Sequence, residues 1–332
     1  MKLIVQIPCL NEADQLPETI AEIPRHIDGI DTIEVVLLDD GSTDGSAEVA
    51  RRHGVDHVVR STRSRGLAAT FKAGIDAALR LGADIIVNTD ADNQYPGSSI
   101  PALVAPILRG DADMVIGDRQ VANVEHFSFT KKKLQALGSW VVRQVSGTDV
   151  IDTTSGFRAF TRNAAQRLNL VSDYTYTLES IIQAGKKRLA IAQVPIDARK
   201  TRPSRLIRSN WDYVKRSAAT IVRIYAMYEP LKFFSYVSAA FIVPGLVLSL
   251  RYLYLLQILN EGQGHVQSVI LAGVLLTLGF MIFLIGLVMD INATQRRLVE
   301  EALYRQRLLD DRIDKETWPQ ELGDREHQET HQ

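Results

Sequence analysis

Two long stretches without charge in the last third of the chain constrain the fold more than any other feature. No charged residue occurs in the 18 residues from Phe233 to Leu250, and the apolar character continues past Arg251 to Leu255. A second stretch, from Gly262 to Met289, has 28 uncharged residues. A helix that crosses a membrane needs about 20 such residues. We therefore predict two transmembrane helices, at about 233–255 and 268–290. Two buried helices of a soluble core are the disfavoured alternative, because no compact domain remains around them.

The flanking charges orient this hairpin, which is predicted over 232–291. Lys and Arg are frequent on both outer flanks and absent from the connector 256–267. The flanking cations are Lys215, Arg216, Arg223 and Lys232 before the first span, and Arg296, Arg297, Arg305 and Arg307 after the second. Because Lys and Arg tend to remain on the cytosolic side, the sequence predicts a protein of the cytoplasmic membrane with both termini in the cytosol.

The segments on either side of the hairpin differ in charge. Asp197–Lys232 contains nine Lys or Arg and three acidic residues, and its part 206–231 is predicted to form amphipathic helices at the membrane interface. For 292–332 we predict a cytosolic helix over Thr294–Leu309 and then a disordered acidic tail. The spans and this helix offer surfaces for a homo-oligomer.

The first 205 residues alternate between strand and helix patterns. Strands are predicted at Leu3–Ile7, Glu34–Leu38, Val58–Arg60, Ile85–Asn88 and Met114–Gly117, and helices at Asn11–Ile23, Ser46–His53, Leu67–Leu81 and Ser99–Leu108. This alternation predicts an α/β domain with a mainly parallel sheet. In such sheets, ligands bind beyond the carboxyl ends of the strands.

The overall charge and the cysteine content exclude other classes. The formal net charge is −1, which argues against a nucleic-acid-binding protein. The single cysteine excludes an intramolecular disulfide framework and a cysteine-rich metal site.

Carboxylates follow two of the predicted strands. Asp90, Asp92 and Gln94 come after the strand that ends at Asn88, and their oxygen atoms suit Mg²⁺ or Mn²⁺. The pair Asp39–Asp40 follows another strand and can accept hydrogen bonds from a base or a ribose. The alternative for both motifs is ordinary turn and helix-capping chemistry.

Six motifs together resemble family 2 glycosyltransferases of the GT-A fold. They are Pro8–Glu12, Asp39–Asp44, Gly66–Gly74, Asp90–Gln94, Gly117–Arg119 and Ser155–Arg158, spread over residues 1 to about 205. Within the family, the chain most resembles the dolichol-phosphate mannosyltransferases and the polyprenyl-phosphate glycosyltransferases with a C-terminal transmembrane pair. The resemblance implies a nucleotide-sugar donor linked to UDP or GDP, a divalent metal, a polyprenyl-phosphate acceptor and inversion at the anomeric carbon.

The resemblance also implies roles for individual residues. The nucleotide-sugar would contact Pro8, Asn11, Glu12, Asp39, Asp40, Asp90, Ala91, Asp92, Arg119, Arg199 and Arg205. The metal would be held by Asp90, Asp92 and Gln94, and the acceptor phosphate by Lys132, Arg202 and Arg205. Two positions depart from the usual pattern, because Arg202 replaces a glycine and Asp118 replaces a serine.

The identity of the acceptor decides whether a base is needed. A phosphate monoester is largely ionised at neutral pH and already a nucleophile. Asp152 and Glu179, together with Arg119, are the candidate catalytic residues at the sugar. A hydroxyl acceptor, on a glycolipid or a lipid-linked saccharide, would require one of the two acids to act as a base.

Other functions remain as alternatives at this stage. A membrane-anchored module that binds nucleotide-sugars without turnover is the alternative from another class, which the intact carboxylates and arginines disfavour. A processive polysaccharide synthase would need more spans and usually a Gln-x-x-Arg-Trp motif, which the sequence lacks. An oxidoreductase is disfavoured because no Gly-x-Gly-x-x-Gly follows the first strand.

Overall fold

A computed structural model describes residues 1–120, 129–170, 176–199, 219, 222–257 and 266–329, and their side chains except those of 129–137 and 310–329. The chain divides into two compact units. The first consists of 1–217 with 300–332, and the second of 218–299.

The first unit is built on a seven-stranded sheet with the order β3-β2-β1-β4-β6-β5-β7. The strands are β1 Lys2–Cys9, β2 Thr32–Asp39, β3 His57–Arg60, β4 Ile85–Asn88, β5 Met114–Asp118, β6 Arg158–Thr161 and β7 Ile191–Pro195. All neighbouring pairs are parallel except those that involve β6, which runs antiparallel to β4 and β5. The predicted α/β class with a mainly parallel sheet is confirmed.

Helices alternate with the strands along the chain, and two longer helices follow the last strand. They are α1 Leu16–Ala21, α2 Ser46–Arg52, α3 Leu67–Arg80, α4 Ile100–Leu108, α5 Phe129–Ser146, α6 Arg162–Arg167, α7 Tyr176–Lys186, α8 Pro230–Gln257 and α9 Val266–Glu329. A short 3-10 turn at Gly97–Ser99 precedes α4. The core combines strand residues with apolar residues of the helices and loops that pack on them, because central strands of a parallel sheet are covered on both faces.

Helix α1 is shorter than the sequence predicts. The prediction was Asn11–Ile23, but the helix begins only at Leu16 and has Pro17 in its first turn. Asn11 has a φ of 56°, in the left-handed region, so the chain cannot be helical there. Residues 11–15 instead form a loop at the end of β1.

In the second unit, α8 and the first part of α9 pack closely through small residues. The Ser238 hydroxyl donates a 2.7 Å hydrogen bond to the carbonyl oxygen of Gly279. A Cβ atom added at Gly279 would lie 2.5 Å from Cγ1 of Ile242, and one added at Gly286 would lie 2.7 Å from Cβ of Phe234. Small residues of this kind allow two helix backbones to approach each other within a membrane.

Both helices are long and apolar enough to cross a membrane. The segments Pro230–Gln257 and Val266–Leu309 have mean hydropathies of 1.9 and 2.7 in their most apolar windows. Only 11% and 17% of those windows are buried within the protein, which disfavours the alternative of soluble core helices. The predicted pair of apolar helices is confirmed.

Replacing Gly279 by alanine is expected to destabilise this helix pair by about 1–3 kcal/mol, as overpacking usually does. The added methyl group has no room beside Ile242. Gly273→Ala is the matched control, because nothing lies within 4 Å of its added Cβ on the same helix. Thermal unfolding of the detergent-purified protein measures the difference. Equal midpoints for the two variants would contradict the close packing.

Helix α9 continues far beyond its apolar part, to Glu329. This differs from the disordered tail predicted after Leu309. Residues 310–329 include four Glu, two Gln and two Arg, which favour helix on their own. The rule that predicts disorder instead considers burial and net charge.

The segment 300–309 of α9 belongs to the first unit and contacts it through one face. Arg307 donates hydrogen bonds of 2.9 Å to the carbonyl oxygens of Gln166 and Leu168. The Tyr304 ring lies under the guanidinium of Arg167, with 4.9 Å from its Cζ atom to the ring centroid. This segment was predicted as a surface for a neighbouring subunit, but this face is occupied by the same chain.

Replacing Arg307 by alanine is expected to release the 300–309 segment, because two carbonyl oxygens lose their donor. Hydrogen exchange of the amides in 300–309 should become about ten-fold faster, which corresponds to a loss of roughly 1.4 kcal/mol. The control is Arg305→Ala, whose side chain is 75% exposed and pairs only with Glu301 among the ion pairs of the described chain. Unchanged protection in Arg307→Ala would show that the contact does not hold the segment.

Candidate active site

The carboxyl edge of the sheet brings the predicted site loops together. Strands β1 and β2 end side by side, with Cys9 paired to Asp39. The Asp40 amide donates to the Cys9 carbonyl oxygen at 2.9 Å. Strand β4, beside β1, ends at Asn88, two residues before Asp90. The two pairs of carboxylates that the sequence singles out therefore follow neighbouring strands of one edge.

The antiparallel strand β6 brings a third loop to this edge. Its first residue, Arg158, pairs with the last residue of β4, Asn88. The loop 151–157 before β6 therefore reaches the end of the sheet where β4 terminates. Strand β5 ends there as well, at Asp118, and Arg119 follows it. The strand and helix patterns of the sequence did not predict β6, so only the family resemblance, through Asp152 and the motif Ser155–Arg158, placed this loop at the site.

The loops after β1 and β2 are fastened to each other. The Asn11 amide donates to the Ser42 hydroxyl at 3.0 Å, and the Thr43 amide donates to Oδ1 of Asn11 at 2.9 Å. The Glu12 amide donates to the Ser46 hydroxyl at 3.1 Å. Asn11 thus holds the two loops in a fixed relation, a role that the sequence did not predict.

Asp39 and Asp40 are both buried and bind the neighbouring backbone. Asp39 accepts a hydrogen bond from the Ser42 amide at 2.8 Å and pairs with Arg60 at 3.1 Å. Asp40 accepts three hydrogen bonds from donors within 64–66. A carboxylate has about four acceptor positions. Asp40 therefore retains about one acceptor position for the nucleobase that it is predicted to bind.

The predicted metal ligands Asp90, Asp92 and Gln94 all lie in the loop after β4. Burial and the charge of Asp92 raise the pKa of Asp90 to about 7, against the opposing effect of Arg119 and Arg158. In the described part of the chain, no donor hydrogen-bonds to the Asp90 carboxylate. The Gln94 amide donates to Asp92 at 3.2 Å and keeps this loop compact.

This donor set fits a hard divalent cation. Two carboxylates that repel each other gain most from a cation placed between them. Within the described ranges, no cluster of three or more His, Cys, Asp or Glu side chains occurs. The candidate site instead combines two carboxylates with one amide oxygen, which suits Mg²⁺ or Mn²⁺ with water completing the shell.

Gly156 provides the space beside Asp90. A Cβ atom at this position would lie 3.0 Å from Oδ1 of Asp90 and 2.9 Å from the Tyr176 hydroxyl. The Gly156 amide donates to the Tyr95 hydroxyl at 3.1 Å, and its carbonyl oxygen accepts from the Asn88 side chain at 2.8 Å. The backbone of this loop can approach the loop of the predicted metal ligands only because residue 156 has no side chain.

Arg119 and Asp152 form a clamp with two hydrogen bonds. Nε of Arg119 donates to Oδ2 of Asp152 at 2.7 Å, and Nη2 donates to Oδ1 at 2.9 Å. Nη2 also donates to the Thr154 hydroxyl at 2.6 Å. The side chains are 13% and 1% exposed, so the pair is largely shielded from water. Two parallel hydrogen bonds of this kind fix the orientation of the guanidinium and therefore the position of its charge.

The clamp keeps both groups ionised. Burial alone would raise the pKa of Asp152, but the hydrogen bonds and charge of Arg119 outweigh it and hold that pKa below its ordinary value. Burial lowers the pKa of Arg119, and the hydrogen bonds and charge of Asp152 help to raise it above its ordinary value. Asp152 is therefore a weak base, already occupied by donors.

Arg158 is a buried cation to which the sequence assigned no role. Its guanidinium is fully buried and donates to the carbonyl oxygens of Ser155, Thr153 and Thr177 and to the Ser180 hydroxyl. Burial lowers its pKa to about 10. Arg158 thus ties the loop that contains Asp152 to helix α7. Its place in the motif Ser155–Arg158 was the available signal.

Arg199 lies beside the loop of the predicted metal ligands. Its Nη1 atom donates to Glu22 at 2.7 Å and to Oδ1 of Asn93 at 3.0 Å. Its backbone amide donates to the Gln94 carbonyl oxygen at 2.9 Å. The structure therefore brings Arg199 to the predicted site.

Three other predicted residues are buried within the first unit. Pro8 lies within β1, and the Ala91 carbonyl oxygen accepts from the Thr19 hydroxyl at 3.2 Å. Glu179 is buried on α7, where it accepts from the Gln183 side chain at 3.3 Å. Among the predicted acceptor residues, Lys132 lies on α5 with its side chain outside the described set, and Arg202 and Arg205 are outside the described residues.

Comparison with known proteins decides the family. The sequence matches the profile of glycosyl transferase family 2 over residues 4–168. An uncharacterised glycosyltransferase of Mycobacterium bovis is 30% identical over 193 residues, which are 58% of this chain and 83% of that protein. The chain belongs to glycosyl transferase family 2. The enzyme class predicted from the sequence is thereby confirmed.

Two further comparisons concern the type of transferase and the fold. The undecaprenyl-phosphate mannosyltransferase of Micrococcus luteus is 27% identical over 206 residues, 59% of this chain and 83% of that protein. The crystal structure of glucosyl-3-phosphoglycerate synthase from Mycobacterium tuberculosis, in complex with Mn²⁺, UDP-glucose and phosphoglyceric acid, matches with a TM-score of 0.55. It is 24% identical and covers 68% of this chain and 79% of that chain. This likeness confirms the predicted GT-A fold.

Proposed function

We propose that this family 2 enzyme transfers one sugar from a UDP- or GDP-linked donor to a polyprenyl phosphate, with inversion at the anomeric carbon. The observation that carries the proposal is the Arg119–Asp152 clamp at the carboxyl edge. The acid best placed for base catalysis accepts from two donors of one arginine. An acceptor that is already ionised needs no such base, and a phosphate monoester, with its second pKa near 6, is one.

The donor would lie along the loops that end β1, β2 and β4. Asp40 and the fastened loops of Asn11 and Glu12 would hold the nucleoside. Asp90, Asp92 and Gln94 would hold Mg²⁺ or Mn²⁺, which when bound neutralises the diphosphate that leaves. Arg119, fixed by Asp152, would add positive charge at the same place. Preorganised charge of this kind stabilises the transition state more than the ground state.

The acceptor assignment is supported by the relatives and by the apolar helices. The Micrococcus luteus relative is named for undecaprenyl phosphate. Two helices of this chain are apolar enough to reach a membrane, where a polyprenyl chain resides. The charges around the spans favour a cytosolic catalytic unit at the cytoplasmic membrane. Lys132, Arg202 and Arg205 are the proposed ligands of the lipid phosphate.

Membranes that contain the protein test this proposal directly. They would receive undecaprenyl or dolichyl phosphate, Mg²⁺ or Mn²⁺, and a panel of labelled UDP- and GDP-sugars. We expect label in a lipid extract, in a product that mild acid releases, and far less label with membranes that contain Asp92→Ala. An acid-stable lipid product would favour a hydroxyl acceptor instead. Nucleotide binding without any labelled product would favour a module that does not catalyse transfer.

A further inference from the structure

The loop that contains the metal-ligand candidates, 90–97, is held from one side by helix α1. At its start, the Ala91 carbonyl oxygen accepts from the Thr19 hydroxyl at 3.2 Å. At its end, the Gly97 amide donates to Oε2 of Glu22 at 3.3 Å. A Cβ atom at Gly97 would lie 2.4 Å from the carbonyl oxygen of Glu22. Loop and helix are therefore in direct backbone contact at this point.

The second oxygen of Glu22 reaches the same loop through Arg199. Oε1 of Glu22 accepts from Nη1 of Arg199 at 2.7 Å, and this nitrogen also donates to Asn93 at 3.0 Å. Asn93 is buried and has a φ of 55°. A non-glycine residue in the left-handed region persists only where its surroundings hold it. Arg199 supplies part of that support, and Glu22 fixes Arg199.

We propose that Glu22 is a positioning residue for the metal and nucleotide site. It lies outside all six motifs that identify the family. Its two oxygens connect the end of the loop, at Gly97, with the arginine that holds the middle of the loop. The result is a loop whose carboxylates are arranged before the metal and the diphosphate arrive, which lowers the cost of binding them. This inference rests on the proposed function, because it assumes that the loop binds a metal nucleotide.

The Glu22→Gln variant of the full-length protein tests this role. Glutamine preserves the size of the side chain but loses the charge and one acceptor oxygen. The control is Glu18→Gln, an exposed acid one turn earlier on the same helix. In the protein without ligand, hydrogen exchange of the 90–97 amides should become faster in Glu22→Gln and stay unchanged in Glu18→Gln. Equal exchange in both would overturn the proposal.

Ligand binding provides the second measurement. Titration calorimetry with Mn²⁺ and UDP, or GDP if UDP does not bind, should show about five-fold weaker affinity in Glu22→Gln. The change is modest because the carboxylate and the guanidinium are 26% and 43% exposed. The kcat at saturating donor should change little, so the loss appears in KM. A loss in kcat alone would contradict a positioning role.

A double-mutant cycle separates this role from general stability. If Glu22 acts through Arg199, the affinity loss in Glu22→Gln with Arg199→Gln should be no larger than the loss in Arg199→Gln alone. Additive losses would overturn the proposal. If even the unmodified protein binds no metal nucleotide, the proposed function fails. The exchange measurement, which needs no ligand, then still decides whether Glu22 holds the loop.

Discussion

Replacing Asp92 by alanine is expected to reduce sugar transfer by about 10²-fold to 10³-fold, the usual loss when a group that stabilises developing charge is removed. Asp92 and Asp90 are close enough for the charge of one to raise the pKa of the other. With one of them missing, the cation has one carboxylate fewer and the leaving diphosphate is less well neutralised. Initial rates at saturating Mn²⁺ measure the effect.

The fold should tolerate this change. Removing Asp92 also removes the repulsion that Asp90 experiences, so the unfolding temperature without metal should not fall. The control is Asp111→Ala, a carboxylate that is 60% exposed and pairs with Arg109 on the surface. Near-normal rates for Asp92→Ala at saturating Mn²⁺ would contradict the metal assignment. A lower unfolding temperature without metal would point to a structural role for Asp92.

The positions of these carboxylates could be predicted from the sequence because strand ends are local features. The predicted strand Ile85–Asn88, which begins with the apolar run Ile85–Val87, is present in the structure with the same bounds. Two acidic residues beyond it must lie at the carboxyl edge of a parallel sheet. The same argument places Asp39 and Asp40. The predicted roles of these residues in binding still require the experiments above.

The supports of the site could not be predicted, because their partners are distant in the sequence. Arg158 donates to Ser180, and Glu22 accepts from Arg199, 177 positions away. Gly279 is needed only because Ile242 of the other helix approaches it. Periodicity and composition describe a residue's own segment and contain no information about such partners. The family motifs identify the residues that would contact ligands. The structure identifies the residues that hold those ligand-contacting residues in place.

The second large effect is expected at the Arg119–Asp152 clamp. Arg119→Lys retains the positive charge but loses the fork that contacts both oxygens of Asp152. We expect transfer to fall by about 10²-fold, since a misdirected charge no longer meets the leaving diphosphate. Asp152→Asn should cause a loss of similar size, because the arginine then lacks its negative partner. Asp149→Asn, an exposed neighbour in the same segment, is the control.

The pH dependence of the free energy of unfolding should also reflect the Arg119–Asp152 pair. The pKa of Asp152 is lower in the folded protein than its ordinary value of 3.8. The ionised group therefore stabilises the fold at neutral pH, and this contribution is lost as the pH falls through the folded pKa. Asp152→Asn should be less stable than the unmodified protein at pH 7, and the difference should shrink below about pH 3.8. A constant difference would mean that the charge of Asp152 does not stabilise the fold.

The comparison of the two clamp variants decides between the acceptor types. If Asp152 served as a general base for a hydroxyl, Asp152→Asn would lose activity because no group could take the proton, and Arg119→Lys would retain much of it. If Asp152 holds Arg119, both variants should lose activity together, and the double variant should be little worse than either one. Parallel and non-additive losses are the result that we expect. They follow from a carboxylate whose oxygens are already occupied by donors, and from the proposed phosphate acceptor, which would carry its own negative charge.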